Sequence, residues 1–292
     1  MKVFFIMQKS NVLFIGLGRL GYHMSSHLSK IENVNLFIHN RTKNKFKSWS
    51  KNNKATYFDY DSELKMDYVI TCVKDDRAVN DVLTDKRLTK NLHKKTIIID
   101  HSTISIPQVK KINNYFLKRN ISFYDAPVTG GEEGAKNACL SSMIGGSSNQ
   151  LVLIKKLISV YCKNIIHMGK SGSGQLSKFS NQILICGILI SISEAIKFNK
   201  INKLDQNKFY HAVMNGAAGS WQLMNRFPTM VKGEFNFGFS SELMAKDLKY
   251  VIAHAKKMKI DLPITKKSLK LYNKLAKSKF KNDDTSSILK LL

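Results

Sequence analysis

Cysteine is scarce in this 292-residue chain and nowhere patterned. Cys72, Cys139, Cys162 and Cys186 show no CxxC spacing and no neighbouring histidine cluster. Neither a disulfide framework nor a metal site is indicated, and reduced thiols of a cytosolic protein are expected. A long hydrophobic run is also lacking. The N-terminal stretch Val3–Met7 is shorter than the apolar region of a secretory signal, and no small-residue cleavage site follows it. The segment Ile183–Ile192 is interrupted by Cys, Gly and Ser and is too short to span a bilayer. The expectation is a cytoplasmic, unprocessed chain with no dedicated membrane partner.

Acidic side chains are the third shortage. Asp and Glu number 21 against 47 Lys and Arg, a net charge of +26. So basic a balance raises the question of nucleic acid. The excess is mostly lysine and is scattered along the whole chain, so it reads as a coat on solvated faces, with no dedicated nucleic-acid partner. Anionic small molecules would still be drawn in. A hydrophobic content of 43% is that of a globular protein, and the length suffices for two domains.

What is present is a change of character part-way along. Candidate strands are Val12–Ile15, Val34–Ile38, Tyr68–Cys72, Thr96–Asp100 and Ile121–Tyr124, separated by segments of helical spacing such as Leu20–Leu28 and Ile106–Leu117. Leu140–Ile144, followed by Gly145 and Gly146, reads as a further strand and turn. Strands alternating with helices imply βαβ units and a mostly parallel sheet. After the glycine-serine stretch at Gly169–Gly174 strand signals cease, and helical patterns run near Leu176–Asn199, Asp205–Met214, Glu242–Met258 and Thr265–Lys277. The expected organisation is an α/β, doubly wound, Rossmann-type domain over residues 1–170 and an all-helical domain over 171–292.

GLGRLG lies directly after the strand NVLFI and before an amphipathic stretch. Gly16 suits a tight turn, Gly18 lets backbone approach a pyrophosphate, and Gly21 permits close helix–strand packing, while the helix N-terminus offers free N–H groups. Leu17, Arg19 and Leu20 complete the loop. About 20 residues further on, a dinucleotide site for NAD would carry an acid to bond the ribose 2′-OH. HNRTK stands there instead. An acid would repel a 2′-phosphate, whereas the Arg41 guanidinium can hold one bidentately, with Asn40 and Thr42 donating hydrogen bonds and Lys43 or Lys45 adding charge. NADP(H) is therefore expected in preference to NAD(H).

Two further blocks carry chemistry. In DAPVTGGEEGA, Thr129, Gly130 and Gly131 can turn several backbone N–H groups and a hydroxyl toward one carboxylate. In GSGQLSKFSNQ, Lys178, Asn181 and Gln182 fall at i, i+3 and i+4 on one helix face, just past the expected hinge, as a cleft between two domains would need. Partial burial against Leu176 and Phe179, with cationic neighbours, would lower the Lys178 pKa toward the range of an acid/base catalyst.

The blocks FIGLGRLGYHM, DAPVTGGEEGA, GSGQLSKFSNQ and GAAGSW…NRFP…GFSSELMAKDL occur in an order that resembles the β-hydroxyacid dehydrogenase family, over nearly the whole chain. The resemblance implies hydride transfer between NADP(H) and a small hydroxy acid or its semialdehyde or keto acid. It implies Lys178 as general acid/base, Thr129, Gly130 and Gly131 at the substrate carboxylate, and Asn181 or Gln182 orienting the substrate or Lys178. Val73 and Thr103 would line the nicotinamide and ribose side, and Lys246 would reach the cofactor.

Some positions depart from the family pattern. SGG reads TGG, GAxxGTL reads GAKNACL with Ala138 and Cys139 in place of Gly and Thr, and Met258-Lys259 stands where a glycine is frequent. The last reads as a surface change. Trp221 reads as packing a helix turn, Asp247 as the partner of a lysine, and the histidines His23, His101 and His211 as belonging to no metal site. Imine reductases share this architecture but typically lack the lysine, so an imine reductase-like enzyme is the alternative, with a non-catalytic nucleotide-sensing protein as another. The long apolar helix predicts a dimer or tetramer.

Overall fold

The computed structural model describes residues 9–292; the apolar run Val3–Met7 lies outside them. The described chain forms two compact units, the first ending at Lys178 and the second running from Phe179 to Leu292.

The first unit is built on a nine-stranded sheet of β1 (Ser10–Ile15), β2 (Val34–His39), β3 (Thr56–Tyr57), β4 (Tyr68–Thr71), β5 (Ile97–Asp100), β6 (Ser122–Asp125), β7 (Val128–Thr129), β8 (Leu140–Gly145) and β9 (Cys162–Gly169). The order is β3-β2-β1-β4-β5-β6-β8-β7, with β9 paired to β8. Strands β1 to β6 pair in parallel, β8 runs antiparallel to β6 and β7, and β9 pairs with β8 in parallel. Its helices are α1 (Arg19–Leu28), α2 (Lys43–Trp49), α3 (Asp76–Leu83), α4 (Lys86–Lys90), α5 (Ile106–Leu117), α6 (Gly131–Lys136) and α7 (Leu151–Ile158).

Both sheet faces are apolar because both are covered. Val12 and Phe14 of β1 join one buried cluster, with Met24, Leu28 and Trp49, while Leu13 and Ile15 join the other, with Val79, Val109 and Phe116. That is why β1, β4 and β5 read as continuous apolar runs rather than alternating ones.

The second unit is helical, comprising most of α8 (Ser173–Ile201) with α9 (Gln206–Val213), α10 (Trp221–Lys232), α11 (Ser241–Lys257), α12 (Pro263–Ala276) and a terminal 3₁₀ turn, Thr285–Leu291. Leu189, Ile192, Leu223, Phe227, Met244, Leu248 and Tyr272 form its core. Helix α8 is 29 residues long, with mean hydropathy 1.6 in its most apolar stretch, 39% of which is buried; by length and composition it could cross a membrane, as the ten-residue segment read from sequence could not.

The α/β and all-helical architecture agrees with the sequence reading, with some differences. Strands β3, β7 and β9 and helix α10 were not read from the sequence, β8 is antiparallel to β6 and β7, and α8 begins at Ser173 rather than near Leu176. The packing boundary also falls within α8, past residue 170, because the first turn of that helix is tied to the sheet.

Candidate active site

Register gathers the candidate residues of the first unit along one edge. Ile15 pairs with His39 on one side and Thr71 on the other, Thr71 with Asp100, and Asp100 with Asp125. The parallel strands therefore end level with each other. The segments that follow them (Gly16–Gly21, Asn40–Thr42, Val73, Thr103 and the approach to Thr129) emerge side by side, the usual place for a ligand in an open α/β sheet.

The glycine turn is set by contacts a side chain would break. Gly16 has φ +109, and a Cβ there would strike the Cys72 carbonyl; one at Gly21 would strike the Gly16 carbonyl. At Gly18 a Cβ would meet nothing within 4 Å, which leaves room for another molecule beside the backbone. Gly18 is the N-cap of α1 and supplies no side-chain cap, so the first N–H groups of the helix face outward. This open, donor-rich cradle fits a dinucleotide pyrophosphate. Arg19 is half-exposed, with its guanidinium 3.5 Å from Glu132 of α6, and Leu20 packs on the core.

Asn40 ties the two loops. Its Oδ1 accepts from Leu17 N at 2.9 Å and its Nδ2 donates to the Thr42 carbonyl at 3.0 Å, which leaves one amide hydrogen for an anion. Arg41 and Thr42 are exposed beside it, and the Lys43 ammonium sits over the Tyr57 ring at 5.2 Å.

The Val73 and Thr103 segments are laced together. Val73 N donates to Ser102 Oγ at 2.9 Å, Thr71 Oγ1 and Ser102 N both donate to Asp100 Oδ1 (2.7 and 3.0 Å), and Ser105 N donates to Asp76 Oδ1 at 2.8 Å. Nearby His101 is buried, with Nδ1 2.6 Å from the Ala126 carbonyl and Nε2 3.0 Å from Tyr161 Oη. Burial lowers its pKa to about 4.

Gly130 (φ +122) and Gly131 (φ +66) both lie in the left-handed region, which is why this turn needs two glycines. Gly130 is the N-cap of α6 and makes no side-chain cap hydrogen bond. Lys178 arrives at the same place: it is 7% exposed, and its Nζ donates to the Val128 carbonyl at 2.9 Å, one residue before Thr129. Asp125 secures the helix that brings it, accepting from Gly172 N at 2.7 Å and Gln175 N at 2.9 Å. Burial raises the Asp125 pKa to about 7, against the lowering effect of those two hydrogen bonds.

In the second unit Gln182 is 1% exposed and both ends of its amide are engaged: Oε1 accepts from Asn181 Nδ2 at 2.8 Å and Nε2 donates to Asp247 Oδ2 at 2.7 Å. Asp247 also pairs with Lys246 Nζ at 3.0 Å, the lysine partner read from the sequence. The chain Asn181–Gln182–Asp247–Lys246 makes Gln182 an internal support for Asn181. Trp221 opens α10, half-exposed, under the Arg226 guanidinium. Among the described residues there is no cluster of metal-ligating side chains.

Residues 11–169 match the NAD binding domain of 6-phosphogluconate dehydrogenase, and residues 172–292 the NAD-binding domain of NADP-dependent 3-hydroxyisobutyrate dehydrogenase. An uncharacterised oxidoreductase of Shewanella frigidimarina is 35% identical over 96% of this chain and 97% of its own. The chain belongs to the β-hydroxyacid dehydrogenase family. The mitochondrial 3-hydroxyisobutyrate dehydrogenase of Drosophila melanogaster is 30% identical over 97% of this chain and 89% of its own. In fold, the chain is similar to a Mycobacterium tuberculosis 3-hydroxyisobutyrate dehydrogenase solved with L-serine, with a TM-score of 0.84, 24% identity, and coverage of 98% of this chain and 99% of that one. As a β-hydroxyacid dehydrogenase, the protein is a nicotinamide-dependent oxidoreductase.

Two departures from the β-hydroxyacid dehydrogenase pattern have a backbone consequence. Ala138, which replaces a glycine of the family pattern, and Lys259, in the Met258-Lys259 pair where a glycine is frequent, both take left-handed φ values, +55 and +58. Each follows a helix end closed by a Schellman pair of hydrogen bonds: Ala138 N to Ala135 O with Cys139 N to Gly134 O, and Lys259 N to Lys256 O with Ile260 N to Ala255 O. Lys259 is thus a strained helix terminus rather than a neutral surface change. The residues that sequence reasoning passed over are Asp125 and Gln175. Both sat inside quoted motifs, but nothing in their spacing shows that one side chain would hold the other's backbone.

Proposed function

We propose that this β-hydroxyacid dehydrogenase transfers hydride between NADP(H) and a small hydroxy acid or its semialdehyde or keto acid, with Lys178 as general acid/base. The observation that carries the reading is the buried Lys178 ammonium bonded to the Val128 carbonyl, beside the Thr129-Gly130-Gly131 turn. The Gly16–Gly21 turn and the N-terminus of α1 would hold the pyrophosphate, Arg41 with Thr42 the 2′-phosphate, and Val73, Thr103 and Lys246 the remainder. Bound there, the nicotinamide supplies the hydride in reduction and takes it in oxidation. Thr129 Oγ1 and the N–H groups of Gly130 and Gly131 hold the substrate carboxylate and so fix the reacting carbonyl near Lys178. In reduction the Lys178 ammonium gives a proton to the carbonyl oxygen as that oxygen gains charge, and the resulting amine is reprotonated from solvent; in oxidation the neutral amine takes the alcohol proton. Asn181, braced by Gln182, orients the substrate.

The test is oxidation of NADPH, and of NADH alongside, with glyoxylate, succinic semialdehyde, tartronate semialdehyde and methylmalonate semialdehyde. Lys178→Ala is expected to lose roughly a hundred- to ten-thousandfold in kcat, the worth of a positioned proton donor, while still binding NADPH. NADPH binding without turnover of any of the four would remove the carbonyl reading and favour imines or nucleotide sensing.

A further inference from the structure

The Gln175 side chain is wholly buried and makes two hydrogen bonds to the same loop, one on each side of Thr103. Its Oε1 accepts from Ile104 N at 3.1 Å, and its Nε2 donates to the Ser102 carbonyl at 2.8 Å. The backbone N of Gln175 is meanwhile held by Asp125 Oδ2 at 2.9 Å, and Gly172 N by Asp125 Oδ1 at 2.7 Å. There is no slack around this anchor. A Cβ at Gly174 would sit 2.8 Å from Asp125 Oδ2, and one at Gly145 2.6 Å from Asp125 Oδ1, so the helix start lies directly on the sheet. One turn further along α8 stands Lys178, with its Nζ on the Val128 carbonyl.

We propose that Gln175 is a positioning residue: its amide grips the two peptide groups flanking Thr103 and so fixes the nicotinamide-side loop relative to Lys178. The inference rests on the roles given above to Thr103 and Lys178. Its physical content is geometric. The loop after β5 and the first turn of α8 belong to separate stretches of chain, and hydride transfer with coupled proton transfer requires the two to keep one spacing. The primary amide both accepts from an N–H and donates to a C=O at these two points, whatever the pH. Leu or Met would fill the volume and leave Ser102 O and Ile104 N without these partners. An ionised Glu would accept from Ile104 N but set a negative oxygen against the Ser102 carbonyl. A protonated Glu would restore both bonds, because its O–H donates to Ser102 O while its carbonyl accepts from Ile104 N.

That last property separates positioning from general structural support. Three forms, wild type, Gln175→Leu and Gln175→Glu, are compared by amide hydrogen exchange, by NADPH titration, and by turnover with NADPH and with NADPH deuterated at the transferred position. In Gln175→Leu the Ile104 amide is expected to lose exchange protection while the β5 amides keep theirs, and NADPH affinity stays within about twofold. The kcat falls on the order of a hundredfold, the cost of a small misplacement of reacting groups, and the deuterium isotope effect rises as hydride transfer becomes limiting. In Gln175→Glu the ratio of kcat to that of the wild type is expected to climb as pH falls and the buried carboxyl takes up its proton. Unchanged protection at Ile104 in Gln175→Leu overturns the clamp whether or not the protein is active. A Gln175→Glu ratio flat with pH, or a wild-type isotope effect in Gln175→Leu, overturns the positioning role. Failure of the underlying functional reading shows elsewhere, as a wild-type protein that turns over none of the four carbonyl substrates.

Discussion

His101 and Asp125 lie in the same unit and titrate in opposite senses. His101 is held neutral by burial, its pKa lowered to about 4. The neutral tautomer with its proton on Nδ1 satisfies both ring nitrogens, donating to the Ala126 carbonyl and accepting from Tyr161 Oη. The unfolded chain binds a proton on this ring below about pH 6.5, so the stability it contributes is present above 6.5 and is lost as pH falls through about 4. Asp125 has its pKa raised to about 7, so its contribution is present below the ordinary carboxylate range, near 4, and is lost as pH rises through about 7. His101→Gln removes the first slope only. The stability difference between wild type and His101→Gln, from urea unfolding, should widen as pH rises from about 4 to 6.5 and level off above. A pH-independent difference would show that folding does not lower the His101 pKa. Arg41 makes a second prediction at this scale. Loss of a charged hydrogen-bonding group, worth about 1.5–3 kcal/mol, should raise the NADPH dissociation constant of Arg41→Ala roughly 10- to 100-fold and leave that of NADH within about twofold. Equal losses for both nucleotides would remove the 2′-phosphate role.

Helix ends show how an element can be legible in outline and hidden in detail. The residue pattern predicts a helix over Glu242–Met258, and α11 occupies Ser241–Lys257, but nothing in the pattern reveals that Lys259, just past the C-cap Met258, must be left-handed. A non-glycine residue in that region costs about 1–2 kcal/mol, offset in part by the entropy glycine loses on folding. Ala138→Gly and Lys259→Gly should each stabilise by about 0.5–1 kcal/mol, and thermal or urea unfolding checks this; no gain at either position would mean that the local backbone relaxes without cost. Helix α10 was missed for a different reason. Pro228 lies inside it and cannot donate to the Met224 carbonyl four residues back, so the pattern reads as a stop. The Tyr210 hydroxyl donates to that carbonyl at 3.1 Å instead. A partner distant in sequence thus makes good what the proline takes away. Strand β9 was hidden because only Cys162 of its eight residues is buried and it lacks the continuous apolar run of the inner strands.

On the scale of the whole molecule, α8 carries the prediction. Its middle is strongly apolar, and Leu184, Phe198 and Ile201 are 64%, 64% and 70% exposed. We propose that a second copy of the chain covers this surface, giving the dimer or tetramer that the length of the helix suggests. Sedimentation should find no monomer at micromolar concentration, and Leu184→Lys with Phe198→Lys should shift the protein toward monomer. A wild-type monomer would leave that face to another partner.

The sequence by itself determined the two-part architecture and the family, and it singled out the candidate chemical groups. Apolar runs, glycine spacing and helical periodicity are local properties, and a glycine required for its φ or a strand buried on both faces leaves its mark at its own position. Which groups support which was decided only by the tertiary structure. Strand register brought the segments after β1, β2, β4 and β5 to one edge, Asp125 pinned the start of α8 to the sheet, Gln182 turned out to brace Asn181, and Gln175 closed on both sides of Thr103. Each of these joins atoms far apart in the chain or fixes an orientation that spacing leaves open. Hydrogen bonding across such separations depends on where packing places both partners, which no single stretch of residues encodes.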